Sequence, residues 1–210
     1  MDLWKMNLWQ VFLAGGPIMW PILLCSIFAL AIIIDKIWHL HSVKIDTQEF
    51  LNSIKEKIKN QKVDSALKDC QNTKSPIGKI LMAGILKHGR PREEIKEAIE
   101  DTALFEIPKL EKNLSALATL AHVSPLLGLL GTVTGMVRCF QSIQIKAAGV
   151  NPVSPGDLAS GIWEALLTTV AGLIVAIPAF IAYNYLVNRV NSFILEMEKA
   201  STELVNFLTE

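Results

Sequence analysis

One carboxylate stands in the last long apolar stretch of this 210-residue chain, from Leu158 to Tyr183. It belongs to Glu164, and two adjacent hydroxyls follow it, Thr168 and Thr169. A carboxylate held in hydrocarbon costs at least a few kcal/mol, so it normally faces a bundle interior or a water-filled cavity. At helical spacing Glu164, Thr168 and Ala171 share one face, small and polar, while Leu166, Leu173 and Ile174 point elsewhere. Two readings are open: an interfacial glutamate near a helix end, or a face that lines an ion path.

The elements that must position these groups are membrane helices. The chain is 51% hydrophobic with a mean hydropathy of +0.37 and a formal net charge of zero. Lys, Arg, Asp and Glu are absent from Met6 to Ile34, from Asn113 to Val137 and from Ala165 to Asn188. Each block exceeds the roughly 20 residues that cross a bilayer. The first ends at Asp35-Lys36 without a small-x-small cleavage pattern, and is expected to be a retained anchor. The expected fold is therefore an all-α membrane protein with three transmembrane helices, two of them extended into a cytoplasmic helical bundle.

Charge placement gives orientation. Of 20 basic residues, 15 lie between Lys36 and Lys112. The positive-inside rule puts that region in the cytoplasm, the N-terminus and the second loop outside, and the tail back inside. The expected order is an interfacial helix over 1–16, spans over 17–35, 113–138 and 158–188, a cytoplasmic region over 36–112, an external loop over 139–157 and a cytoplasmic helix over 189–210. Leu3, Trp4, Leu8, Trp9, Phe12 and Leu13 make the interfacial start amphipathic, with tryptophans at headgroup depth.

The cytoplasmic insert reads as short helices. Phe50, Leu51, Ile54 and Ile58 mark one, Val63, Ala66, Leu67 and Cys70 a second, and Ile77, Ile80, Leu81 and Ile85 a third. Ser75-Pro76 and Gly89-Arg90-Pro91 break them. Glu93, Glu94, Glu97, Glu100 and Asp101 form a solvated face with partners in Arg92 and Lys96. Helical patterning from Arg92 runs into the second span with only Pro108 interrupting it, and proline there can kink a helix instead of ending it. Beyond the third span, Val190, Ile194, Met197, Leu204 and Leu208 keep helical spacing. A helix from Leu158 to Leu208 would be about 75 Å long against about 30 Å of hydrocarbon, so half of it should project into the cytoplasm. Such apolar stripes call for assembly.

The second span holds Gly128, Gly131, Thr132 and Gly135. Gly131-x-x-x-Gly135 lets helix backbones approach closely, and Thr132 adds an oxygen facing the helix of Glu164. Pro125 and Pro178 are expected to take part in helix packing. Cys25, Cys70 and Cys139 lack CxxC spacing or a paired histidine, so no zinc site is expected. No HExxH or GxSxG motif occurs, which argues against an intramembrane enzyme. His122 is expected to be a packed or water-contacting residue.

Ser124-Pro-Leu-Leu-Gly-Leu-Leu-Gly-Thr-Val-Thr-Gly-Met136 together with Gly161-Ile-Trp-Glu-Ala-Leu-Leu-Thr-Thr-Val-Ala-Gly-Leu-Ile-Val-Ala-Ile-Pro-Ala179 and Tyr183-Asn184 resembles the MotA/TolQ/ExbB family. Gly15-Gly16-Pro17-Ile-Met-Trp-Pro21 and the three-span layout are similar to its ExbB/TolQ branch. The resemblance implies an ion-channel subunit of a bacterial inner-membrane motor that couples ion motive force to work on a TonB-like or Tol-Pal-like system. It implies a homopentamer around two copies of an ExbD- or TolR-like single-span partner, which carries the aspartate that takes up the ion. Membrane lipids surround it, and no nucleic acid or cofactor is implied.

Glu164, Thr169 and Thr132 match the family's polar pathway groups. Thr168 departs from the alanine that many relatives carry there, and such a threonine pair resembles sodium-driven flagellar stators. Protons are the expected ion, with Thr168 bonding its own helix, and sodium is the alternative. A non-conducting membrane scaffold is the competing function.

Overall fold

The structure, a computed structural model, describes residues 7–147 and 154–209. Leu3, Trp4 and the middle of the expected external loop lie outside the described residues. Eight helices follow one another: α1 (Leu8–Ala14), α2 (Met19–Val43), α3 (Thr47–Lys59), α4 (Val63–Asn72), α5 (Pro76–Leu86), α6 (Arg92–Glu111), α7 (Leu114–Ala147) and α8 (Pro155–Thr209). Among the described residues there is no strand. Three helical stretches, holding α2, α7 and α8, are long and apolar enough to cross a membrane. This is an all-α membrane protein.

The chain divides into two compact units, 1–33 with 115–184 and 34–114 with 185–210. In the first unit the ordinary burial pattern is inverted. Small residues are buried, including Ser124, Gly128, Gly131, Gly135 and Cys139 on α7 and Ala165, Thr168, Gly172 and Ala176 on α8. Large apolar residues such as Leu126, Leu129, Val133, Leu166, Val170 and Ile174 are exposed. A surface of this kind is at home in lipid or against further helices, where close backbone contact holds helices together. The amphipathic start is short: α1 ends at Gly15, and its Phe12 ring stacks on Trp9 (5.5 Å between centroids) and meets Trp20 of α2 edge-on (5.1 Å). Gly16 makes the turn with φ +72°, a left-handed conformation that glycine adopts without steric cost.

The second unit has a conventional core. α3 starts on Asp46, whose carboxylate accepts from the backbone N–H groups of Gln48 (3.1 Å) and Glu49 (2.9 Å). The three short helices appear where the spacing predicts them, and the breaks fall at Ser75-Pro76 and before Arg92. Leu51, Ile54, Ile80, Leu81, Ile95, Ile99 and Leu204 are buried together with Cys70. Of the acidic run, Glu100 pairs with Lys96 (3.4 Å), while Arg92 donates instead to Asn206 Oδ1 (2.8 Å). Glu106 is buried and held by Lys109 (2.6 Å) and Lys79 (3.2 Å). The Lys36 ammonium, also buried, donates to the Leu110 carbonyl (2.9 Å) in the last turn of α6, where unpaired carbonyls collect.

Two expectations about helix limits change. α6 passes through Pro108 and breaks instead at Lys112-Asn113, where Asn113 takes φ +66°. Asparagine tolerates that conformation because its short polar side chain bonds locally. At the other end α7 continues to Ala147, so Cys139 to Ala147 of the expected loop is helical. Helical hydrogen bonding tolerates a charged residue such as Arg138, so the helix can run past the end of the charge-free block.

Candidate functional site

The site is built on the seam between α7 and α8 in the first unit. The two helices run antiparallel there, with a glycine at nearly every level. A Cβ on Gly128 would sit 3.0 Å from the Thr168 carbonyl oxygen, and one on Gly135 would sit 3.1 Å from Ala165 Cβ. Gly131 faces the Thr168 side chain, Gly161 faces Cys139 (2.6 Å), and Gly172 faces the Ser124 carbonyl (2.7 Å). Gly131 and Gly135 both face α8 at this close spacing. Pro125 is half-buried beside this seam, whereas Pro178 lies on the exposed side of α8.

Close approach makes backbone oxygens reachable. Thr169 Oγ1 donates to the Gly128 carbonyl across the seam (3.2 Å). Thr168 Oγ1, fully buried, donates to the Ala165 carbonyl in its own helix (2.8 Å), with the Gly128 carbonyl 3.4 Å away. Two hydroxyls therefore converge on one carbonyl. Thr168 does bond its own helix, three residues back instead of four. Thr132 is half-buried and its hydroxyl donates to Leu129 in its own helix (2.6 Å), so it does not reach across to α8 for a hydrogen bond.

Glu164 lies one turn from Thr168 along α8. Its Oε1 accepts from Arg138 Nη1 at 2.6 Å, and its side chain keeps 24% of its exposure against 50% for Arg138. Gly16 forms a third wall: a Cβ there would overlap Oε1 and stand 2.9 Å from the carboxyl carbon. Neither Arg138 nor Gly16 stands among the residues that spacing singles out. The available signal was periodicity, because Gly131, Gly135 and Arg138 are four and three residues apart and so share a face. His122 is exposed, with Nδ1 2.6 Å from the Ala118 carbonyl and its ring edge-on to Phe180 (5.8 Å). Among the described residues no three or more His, Cys, Asp or Glu side chains converge.

The chemistry on offer is thus a carboxylate with its own countercharge, followed by hydroxyls and a carbonyl in otherwise apolar helices. Comparison with known proteins gives this arrangement a context. The chain is 30% identical to an ExbB homolog named for biopolymer transport from Methanothermobacter thermautotrophicus, over 90% of this chain and 66% of that protein. It is 34% identical to a biopolymer transport ExbB-like protein of Synechocystis, over 84% of this chain and 69% of the relative. A Tol-Pal system protein TolQ from Haemophilus influenzae is 47% identical over 41% of this chain and 36% of its own length. The chain therefore spans about two thirds of the length of the first two relatives. The profile of the MotA/TolQ/ExbB proton channel family matches residues 72–199, which take in the α7–α8 seam and its threonines, and the chain belongs to that family.

Proposed function

We propose that this protein is the ion-conducting subunit of an energy-transducing motor in a bacterial inner membrane, with the N-terminus outside and the C-terminus in the cytoplasm. Protons are the ion. The protein assembles as a homo-oligomer, five copies by resemblance, around a dimer of an ExbD- or TolR-like single-span partner. Its work is delivered to a TonB-like or Tol-Pal-like system. The observation that carries this reading is the cluster of Glu164, Thr168 and Thr169 within two turns of an apolar helix, with both hydroxyls near the Gly128 carbonyl. Polar groups inside a membrane are costly and mark ion routes. A hydroxyl that donates one bond keeps lone pairs for water or a cation, so Thr169 and Thr168 can line a path while Thr132 extends it along α7.

The test is Glu164→Gln and Thr169→Val in cells that depend on ion-driven outer-membrane work. Both variants should assemble and both should lose that work. Full activity of both at normal expression would remove the pathway assignment.

Sodium is the second reading, favoured by the same two hydroxyls and one carbonyl, since sodium needs several oxygen ligands where a proton needs few. Work measured in sodium-free medium, with the proton gradient kept and then collapsed by an uncoupler, separates the two. Strict sodium dependence relieved by Thr168→Ala would decide for sodium.

A further inference from the structure

We infer that Arg138 is the positioning residue of the Glu164 carboxylate, and that Gly16 provides the space in which that carboxylate sits. The inference rests on the reading of Glu164 as a pathway group, and adds what holds it in place. Three segments far apart in sequence meet at this point. α7 supplies the guanidinium, α8 the carboxylate and the α1–α2 turn the glycine.

The contact is a short charge-assisted hydrogen bond, 2.6 Å from Nη1 to Oε1, among the stronger side-chain interactions available. Without it a glutamate on a membrane helix would extend toward the nearest water and sample several rotamers. Arg138 stands on the glycine face of α7, so its guanidinium is delivered to the end of the seam and away from the lipid-type residues. Gly16 is constrained twice. Its φ of +72° disfavours any side chain, and a Cβ would fall on the carboxylate and 3.4 Å from Arg138 Nη1. Arg138 keeps half of its own exposure and Glu164 about a quarter, so the pair is more open on the arginine side.

The full chain, purified in dodecyl maltoside, is treated with dicyclohexylcarbodiimide, which adds to carboxyl groups in apolar surroundings, and labelling of Glu164 is quantified by peptide mass spectrometry. Arg138→Gln should label Glu164 at least about tenfold faster than the parent, the scale expected for losing a hydrogen bond to a charged group. Arg138→Lys, which keeps the charge, should stay near the parent rate. Equal rates in the parent and Arg138→Gln would overturn the inference. If Arg138→Gln does not hold its helical circular dichroism, the exchanged pair Arg138→Glu with Glu164→Arg replaces it. Recovery of the parent's melting temperature supports the pairing, and an exchange no better than either single change overturns it. Labelling requires no transduction. Full ion-driven work by Glu164→Gln would therefore sink the pathway reading and leave the role of Arg138 standing, while equal labelling does the reverse.

Discussion

Gly131 and Thr168 share one packing slot: a Cβ on Gly131 would fall inside the Thr168 side chain, 2.8 Å from its Cγ2 and nearer still to its other atoms. Gly131→Ala should destabilise the solubilised protein by about 1–3 kcal/mol, the usual cost of overfilling a tight site. Adding Thr168→Gly vacates the slot and should recover part of the loss. Thermal melts of the two variants check this, and a neutral Gly131→Ala would show that the helices are not in close contact.

Thr169 and Thr132 should rank by where their hydroxyls point. Thr169→Val removes the bond to Gly128 on the other helix and should cost about 0.5–1.5 kcal/mol. Thr132→Val removes only a bond within its own helix and should cost least. The same melts, run side by side, give the order.

Cys70 should be chemically silent in the folded protein. Burial first, and Asp69 second, push its thiol up to about 12, with Lys57 opposing. The thiolate is the reactive form, so a raised value keeps the thiol protonated from neutral pH up to near that value. With Cys25 and Cys139 replaced by alanine, maleimide labelling at Cys70 should stay low from pH 7 to 10, where an ordinary thiol near 8.5 would accelerate. Unfolding in denaturant should restore rapid labelling.

Leu204 is fully buried in the second unit, and its side chain lies within reach of Gly84. Leu204→Ala should cost about 2–5 kcal/mol, the transfer and cavity terms together. Faster limited proteolysis of the 34–114 region would register it.

Orientation is testable by thiol accessibility. A cysteine introduced at Asn151 should react with a membrane-impermeant reagent applied from outside, and one at Asn60 should not. The reverse pattern would invert the proposed topology.

Periodicity exposed the insert helices and the glycine seam because those features depend on residues three and four apart. It located α3, α4 and α5 through Ile54, Ala66 and Ile80. It did not show that Thr169 would find a backbone carbonyl, since an oxygen on the opposite helix leaves no trace in side-chain type. Arg138 was hidden for a related reason. Counted as a charge beyond the span it marks a boundary, and only the continuation of α7 to Ala147 makes it a neighbour of Glu164. Gly16 could be read as a turn residue, but its service to a carboxylate far along the chain is a tertiary fact.

The α7–α8 seam is built almost wholly from glycine, alanine, serine and threonine, side chains with few or no rotatable bonds. Docking such surfaces freezes little side-chain freedom, and leaves few alternative rotamers through which the pair could accommodate a push. Within the first unit the two helices should therefore transmit force as a single lever. The freedom that remains lies on their outward faces, where Leu126, Leu129, Val170 and Ile174 are exposed.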